Sequence, residues 1–302
     1  MNTSNLTSIT ALPPVEAPPG FFDLGVPARI DDGLAACGFA QPFNIQTEAI
    51  PVAMTGKDVC GRAKTGSGKT LAFGIPMLAR ITDKAAPMKP LGLVLVPTRE
   101  LAVQVAEVLQ PVADHAGMKV IPVYGGASRH HQVEEMARGV EIVVATPLRL
   151  IDLIKSDEIN LDDIQIVTLD EADRMADDGF TPQVEWILRH TGNRNQTMLF
   201  SATLDGDVGH LIRAYQTDPE TVAIDEATDT VGNMSHLFLG IHHMDRDKVI
   251  GAIARGIPKL VVFCQTKRQC DRATEKLQDL GIDAMAIHGD LQQKTRERVM
   301  RS

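Results

Sequence analysis

The chain has 302 residues, 44% of them hydrophobic and 23% charged; at roughly 150 residues per domain this fits about two globular domains and excludes a disordered, collagen-like or coiled-coil chain. The longest apolar stretch lies near 91–96, far short of the ~20 residues that a bilayer span needs. A net charge of -9 excludes a protein that holds nucleic acid through a broadly basic surface, so any such contact must be local.

Taken in chain order, residues 1–20 are rich in Pro, Thr and Ser without periodicity and read as a flexible tail. They show neither a basic start nor a long apolar run, so no secretory leader is expected. The four cysteines, Cys37, Cys60, Cys264 and Cys270, form no C-x-x-C pair. They read as reduced thiols, and a cytoplasmic location is expected. Short apolar, β-rich runs lie at 91–96, 120–123, 140–145, 164–169 and 197–201, with helical patterns between them such as 99–115, 129–137 and 205–215. Near-continuous apolar strands alternating with helices predict an α/β fold, a parallel sheet with helices on both faces. The polar stretch around 225–233 reads as a linker. A second series then starts: a helix near 245–255, a strand at 259–264, a helix at 267–280, a strand at 283–287 and a helix from Leu291 onward. The expected division is a tail at 1–20, a first domain at 21–225, a linker at 226–233 and a partial second domain at 234–302. Only 4% of the residues are aromatic, with Trp186 the single tryptophan, which argues against wide stacking platforms for single strands.

The sharpest local signal is Ala63-Lys64-Thr65-Gly66-Ser67-Gly68-Lys69-Thr70. It follows G-x-x-x-x-G-K-[ST] with Ala63 at the first glycine. A short strand at 58–61 precedes it and a helix at 71–81 follows, which is the setting the motif needs. Glycines let backbone N–H groups turn around phosphate oxygens, and the helix N-terminus adds a favourable dipole. Lys69 reaches the β- and γ-phosphates in such a loop, and the Thr70 hydroxyl is a ligand for Mg²⁺. A second acidic site belongs at a neighbouring strand end. The run at 164–169 leads directly into Asp170-Glu171-Ala172-Asp173. Asp170 suits the outer shell of Mg²⁺, and Glu171 is the candidate that polarises the attacking water.

These residues, with others along the chain, resemble the DEAD-box ATP-dependent RNA helicases of superfamily 2. The ordered series runs through Gly38-Phe39, Pro42, Ile45-Gln46, the phosphate loop, Pro97-Thr98-Arg99-Glu100-Leu101, Gly125-Gly126, Thr146-Pro147-Leu148-Arg149, the acidic run and Ser201-Ala202-Thr203. It continues through Val262-Phe263-Cys264-Gln265-Thr266 and Ile287-His288-Gly289-Asp290. The resemblance implies a RecA-like first domain, the N-terminal part of a second RecA-like domain, and ATP with Mg²⁺. Gln46 resembles the reader of the adenine edge, since its amide donates and accepts at once. Phe21 resembles the aromatic that stacks on adenine, and it also reads as the first core anchor after the tail. The resemblance gives RNA-backbone contacts to Pro97, Thr98, Arg99, Gly125, Gly126, Thr146 and Arg149. Further contacts fall to Gln293 and Arg296 in the last helix, where a charged, solvated helix face is nearly as good a reading. Ser201 and Thr203, with Asp173, resemble the segment that couples nucleotide to RNA. Lys69, Asp170 and Glu171 are the implied catalytic residues. Contacts to the sugar–phosphate chain need no basic surface and carry little base specificity. A monomer that binds RNA and no membrane is expected.

Two departures stand out. Phe43 occupies a position where the family usually has Thr or Ser. The family's later motifs, including the one that supplies an arginine finger worth a factor of ~10³–10⁵ in rate, have no counterpart before Ser302. The leading reading is an RNA helicase driven by ATP. The alternatives are a non-catalytic fragment that binds ATP and RNA, a DNA-directed superfamily-2 helicase, and a scaffold protein without ligands.

Overall fold

The computed structural model describes residues 19–64, 66–224, 235 and 237–301. Most of the expected tail, the expected linker and Thr65 of the phosphate loop lie outside the described residues. The chain divides into two compact units.

The first unit runs through α1 (Ala28–Ala36), α2 (Asn44–Met54), β1 (Val59–Arg62), α3 (Lys69–Arg80), β2 (Gly92–Leu95) and α4 (Arg99–His115). It continues with β3 (Val120–Val123), α5 (Arg129–Met136), β4 (Ile142–Ala145), α6 (Pro147–Lys155), β5 (Ile166–Asp170) and α7 (Ala172–Asp177). It closes with α8 (Thr181–Arg189), β6 (Gln196–Ser201), α9 (Gly206–Tyr215) and β7 (Glu220–Ala223). The strands form one seven-stranded sheet in the order β3-β4-β2-β5-β6-β1-β7. All neighbouring pairs are parallel.

Alternation along each strand explains why both faces need cover. In β2, Val94 enters one apolar cluster while Leu93 and Leu95 enter the other. The first cluster is completed by Ile30, Leu34, Ile45, Ile50, Phe73 and Leu109 of α1 to α4. The second is completed by Leu150, Leu153, Met175, Val184, Ile187 and Leu211 of α6 to α9. Each such fully buried side chain stabilises the fold by about 1.5–3 kcal/mol. The central strands β2, β4 and β6 are buried throughout, which is why they read as unbroken apolar runs. The edge strand β7 was not expected from the sequence. Only Val222 of its four residues is buried, so no apolar run marks it.

The second unit contains α10 (Arg246–Gly256), α11 (Lys267–Asp279) and α12 (Gln293–Arg301), matching the three expected helices. The strands expected at 259–264 and 283–287 are not formed: neither segment has a ladder partner among the described residues. The ring of Phe263 is 94% exposed and Val261 is exposed beside it. A parallel strand exists only through its neighbours' N–H and C=O groups. An apolar run without them remains an extended segment.

Candidate functional site

Because all seven strands are parallel, their C-terminal ends share one edge, where ligand sites of open α/β sheets lie. Hydrogen bonds just past the strand ends keep the following segments in line. Val96 N–H donates to the Ala145 carbonyl at 3.0 Å, Thr146 N–H to Val123 at 3.0 Å, and Ala63 N–H to Ser201 at 3.1 Å. Strand order then divides the candidate residues into two halves. β3, β4 and β2 lead into Gly125-Gly126, Thr146 to Arg149, and Pro97 to Arg99. β5, β6 and β1 lead into Asp170 to Asp173, Ser201 to Thr203, and the phosphate loop.

The loop after β1 turns through Gly66 and Gly68, at φ +86° and +88°, a region that L side chains avoid. Gly68 caps α3, and Lys69 is that helix's first residue. The Lys69 side chain is buried; its Nζ donates to the Ala63 carbonyl at 3.0 Å and lies 3.9 Å from Asp170 Oδ1. Ala63 is buried, Lys64 and Gly66 are exposed, and Thr70 is half-buried at the helix start. Ser67 Oγ donates to the Lys64 carbonyl at 2.8 Å.

The start of α2 leans on this loop. Gln46 is buried; its Oε1 accepts from Phe43 N–H at 2.9 Å and its Nε2 donates to the Gly68 carbonyl at 2.8 Å. The first bond ties down an N–H that a helix start leaves without a partner. The second fastens the helix to the phosphate loop, a link the sequence pattern did not reveal. One N–H and one oxygen lone pair of the amide remain beyond these two bonds. A Cβ on Gly68 would stand 2.4 Å from the Phe43 ring and 2.6 Å from Gln46 Nε2, so only glycine fits there. The Phe43 ring is 61% exposed at this spot. Phe21, in contrast, is 2% exposed and belongs to the core with Leu24, Val26 and Ile30. Of its two expected roles the structure shows the core anchor, and no open ring face is presented.

Asp170 is the last residue of β5 and 3% exposed. Burial pushes its carboxyl up to about 6, against the opposing pull of the Lys69 ammonium. Its Oδ1 accepts from Glu171 N–H at 3.0 Å. Glu171 adopts φ 51° and ψ 50°, a left-handed conformation that costs a non-glycine residue about 1–3 kcal/mol. Its Oε2 lies 3.6 Å from Arg174 Nη1. Asp173 N–H donates to Ser201 Oγ at 3.2 Å, and Asp173 Oδ2 accepts from Ala202 N–H at 3.1 Å. These two bonds clasp the acidic turn to the end of β6. Thr203 is exposed and outside the clasp.

On the other half, Thr98 Oγ1 accepts from Leu101 N–H at 3.2 Å and caps α4. Pro97 is buried, while Thr98 and Arg99 are half-buried. Arg99 Nη2 stands 3.7 Å from where a Cβ on Gly125 would lie, so the two groups are neighbours. Thr146 caps α6. Arg149 Nη1 donates to Gln132 Oε1 at 3.0 Å, and Gln132 Nε2 donates to the Tyr124 carbonyl at 3.1 Å. Gln132 was absent from the residues the sequence singled out. In the second unit, Arg296 Nη1 donates to Gln293 Oε1 at 3.2 Å within α12.

A cavity of about 390 Å³ opens at the opposite, N-terminal end of the strands, lined by Lys57, Asp58, Arg194, Gln196, Tyr215 and Thr217 among others. Asp58 and Arg194 there are committed to the fold, and Lys57 pairs with Glu220 at the surface. Asp58 accepts from the N–H groups of Thr197 and Thr217, both at 2.6 Å, and Arg194 donates to the carbonyls of Leu188, Thr191 and Tyr215.

Comparison with known proteins agrees with this geometry. The family model "DEAD/DEAH box helicase" matches residues 43–211, and "Helicase conserved C-terminal domain" matches residues 246–302. DEAD-box ATP-dependent RNA helicase 30 of Arabidopsis thaliana is 38% identical over 288 residues, which is 93% of this chain and 49% of that protein. DEAD-box ATP-dependent RNA helicase CshA of Bacillus cereus is 35% identical over 283 residues, 93% of this chain and 54% of that protein. The chain thus spans about half the length of the curated relatives it matches. The crystal structure of a DEAD box protein from the hyperthermophile Methanococcus jannaschii superposes with a TM-score of 0.63 at 30% identity, covering 93% of this chain and 76% of that one. The first family match alone takes in more than half of the 302 residues, and on that ground the chain belongs to the DEAD/DEAH box helicase family.

Proposed function

We propose that the chain couples ATP binding and hydrolysis to local remodelling of RNA. The observation that carries this reading is the division of one sheet edge into a buried, charged half and a more open half, joined within one sheet. In this picture the loop at 63–70 and Lys69 hold the phosphates, and Gln46 reads the adenine edge with its remaining N–H and lone pair. The buried Asp170 carboxylate and the Thr70 hydroxyl are hard oxygen donors, a set that fits Mg²⁺ bound partly through water and phosphate. Bound there, Mg²⁺ would neutralise charge building up on the transferred phosphoryl group. Glu171 orients the attacking water. Pro97, Thr98, Arg99, Gly125, Gly126, Thr146 and Arg149 hold the RNA backbone, with Gln293 and Arg296 adding contacts from the second unit. The Asp173–Ser201 clasp lies within the nucleotide half and makes the acidic turn and the end of β6 move together.

We also infer a monomer in the cytoplasm. The four cysteines are all free, which fits a reducing compartment. No helix among the described residues is long and apolar enough to cross a membrane.

Glu171→Gln tests the mechanism. The expected result is retained ATP and RNA binding with RNA-stimulated phosphate release reduced roughly 10²–10⁴-fold, the usual contribution of a positioned base. Undiminished release would remove Glu171 from the reaction. A second reading, binding of ATP and RNA without efficient turnover, draws on the unpaired segments at 259–264 and 283–287. RNA-stimulated ATPase measured on residues 1–302 separates the two readings, and stimulation by DNA but not RNA would overturn the choice of substrate.

A further inference from the structure

We propose that Gln132 is a positioning residue for RNA, whose buried amide locks the Arg149 guanidinium to the backbone of the turn that begins at Tyr124. This inference rests on the RNA reading of Arg149 and Gly125-Gly126 given above.

The argument begins with an anomaly in α5. Its sequence, RHHQVEEM, is polar, and only Gln132 and Met136 are buried. These two stand four residues apart and share a helix face. Met136 is what an inward face calls for. Gln132, at 5% exposed, is not. A buried amide is costly unless its polar ends are bonded, so an apolar side chain would serve packing equally well or better.

Both ends of this amide are bonded, and to informative partners. Oε1 accepts from Arg149 Nη1 at 3.0 Å, and Nε2 donates to the Tyr124 carbonyl at 3.1 Å. Tyr124 is the residue between β3 and Gly125-Gly126, and Arg149 lies in the first turn of α6, just past β4. Gln132 therefore spans two groups assigned to the RNA backbone, on adjacent strands of one edge. One fixed N–H restrains the planar guanidinium, and the remaining N–H groups of Arg149 are left for phosphate oxygens. A long side chain so held loses less rotamer freedom when RNA arrives. The nucleotide half shares no atom with this bridge.

The test is equilibrium binding of a labelled oligouridine to the full chain, with a non-hydrolysable ATP analogue present. The variants are Gln132→Leu, Arg149→Ala and their combination, with Gln132→Met as a second apolar replacement should Leu disturb folding. Nucleotide affinity is measured on each. Gln132→Leu is expected to weaken RNA binding about fivefold, the size of one net hydrogen bond, and to leave nucleotide affinity unchanged. The double variant is expected to bind RNA no more weakly than Arg149→Ala alone, because Gln132 acts through Arg149. Fully additive losses, unchanged RNA affinity in both Gln132 variants, or equal loss of nucleotide and RNA affinity would each overturn the inference. If Arg149→Ala itself binds RNA like the wild type, the RNA reading of Arg149 fails and the inference goes with it. If Arg149→Ala is weak and both Gln132 variants are normal, the inference alone fails.

Discussion

The two halves of the sheet edge solve different problems. At β1, β5 and β6 the groups are charged and buried: Lys69 and Asp170 lie 3.9 Å apart in the interior, and Glu171 is held in a strained backbone conformation. At β2, β3 and β4 the groups are neutral amides, hydroxyls and glycine turns with half-buried arginines. A small, highly charged phosphate chain is best recognised where water is excluded and charges act at low dielectric. A long backbone polymer needs an open surface on which many modest contacts add. On the proposed reading, a chain of net charge -9 holds RNA through contacts that are local and geometric.

Lys69→Ala would break the comparison most sharply. It removes the buried ammonium of the loop proposed to hold the phosphates, and nucleotide affinity is expected to fall about a hundredfold, in line with a charge-assisted bond in a dry site. RNA affinity without nucleotide should stay unchanged. An equal loss of both, measured by titration, would mean the halves are not separate sites.

Asp170→Asn probes the cost of keeping a carboxylate in the interior. The folded-state carboxyl titrates near 6, raised from 3.8 by burial. Between those values the folded protein holds a proton that the unfolded chain has released. Stability from this group is therefore present below 3.8 and is lost as pH rises through 6. In ligand-free protein above that range, Asp170→Asn should be more stable than the wild type by on the order of 2 kcal/mol. The gap should close on acidification. Thermal melts of both proteins across pH check this, and a gap independent of pH would show that burial of the charge is not the cause.

Ser201→Ala gives the smallest expected effect and concerns the clasp that ties the acidic turn to β6 within the nucleotide half. It deletes the acceptor for Asp173 N–H and leaves the Ala202 bond to Asp173 in place. Nucleotide affinity and RNA affinity measured separately should change little. The factor by which nucleotide tightens RNA binding should fall about fivefold. An unchanged factor would take Ser201 out of the coupling path.

Much of the fold was legible because periodicity reports burial. The helix expected at 99–115 is α4 with the same ends, since Thr98 caps its start and Gly117 adopts φ +64° just past its end. The strand expected at 164–169 forms at Ile166–Asp170, starting two residues later and ending one later, so Asp170 is itself the final ladder residue, opposite Phe200. Edge strand β7 escaped because one buried residue in four leaves no pattern. The expected strands at 259–264 and 283–287 erred the other way: their apolar runs look like strands, and pairing partners decide whether strands form.

The chemistry of the candidate site was determined locally, by glycines that can turn backward, a lysine at a helix start and an aspartate at a strand end. Those are properties of short segments, and the sequence carries them without help. What only the tertiary structure decided is which side chains serve the site through others. Gln46 clasps Gly68 across 22 positions, Asp173 meets Ser201 across 28, and Gln132 reaches Arg149 across 17. Phe21 is a core residue and Phe43 an exposed one for the same reason. Burial and hydrogen bonding between distant segments depend on how strands order themselves in the sheet, and no window of sequence contains that order.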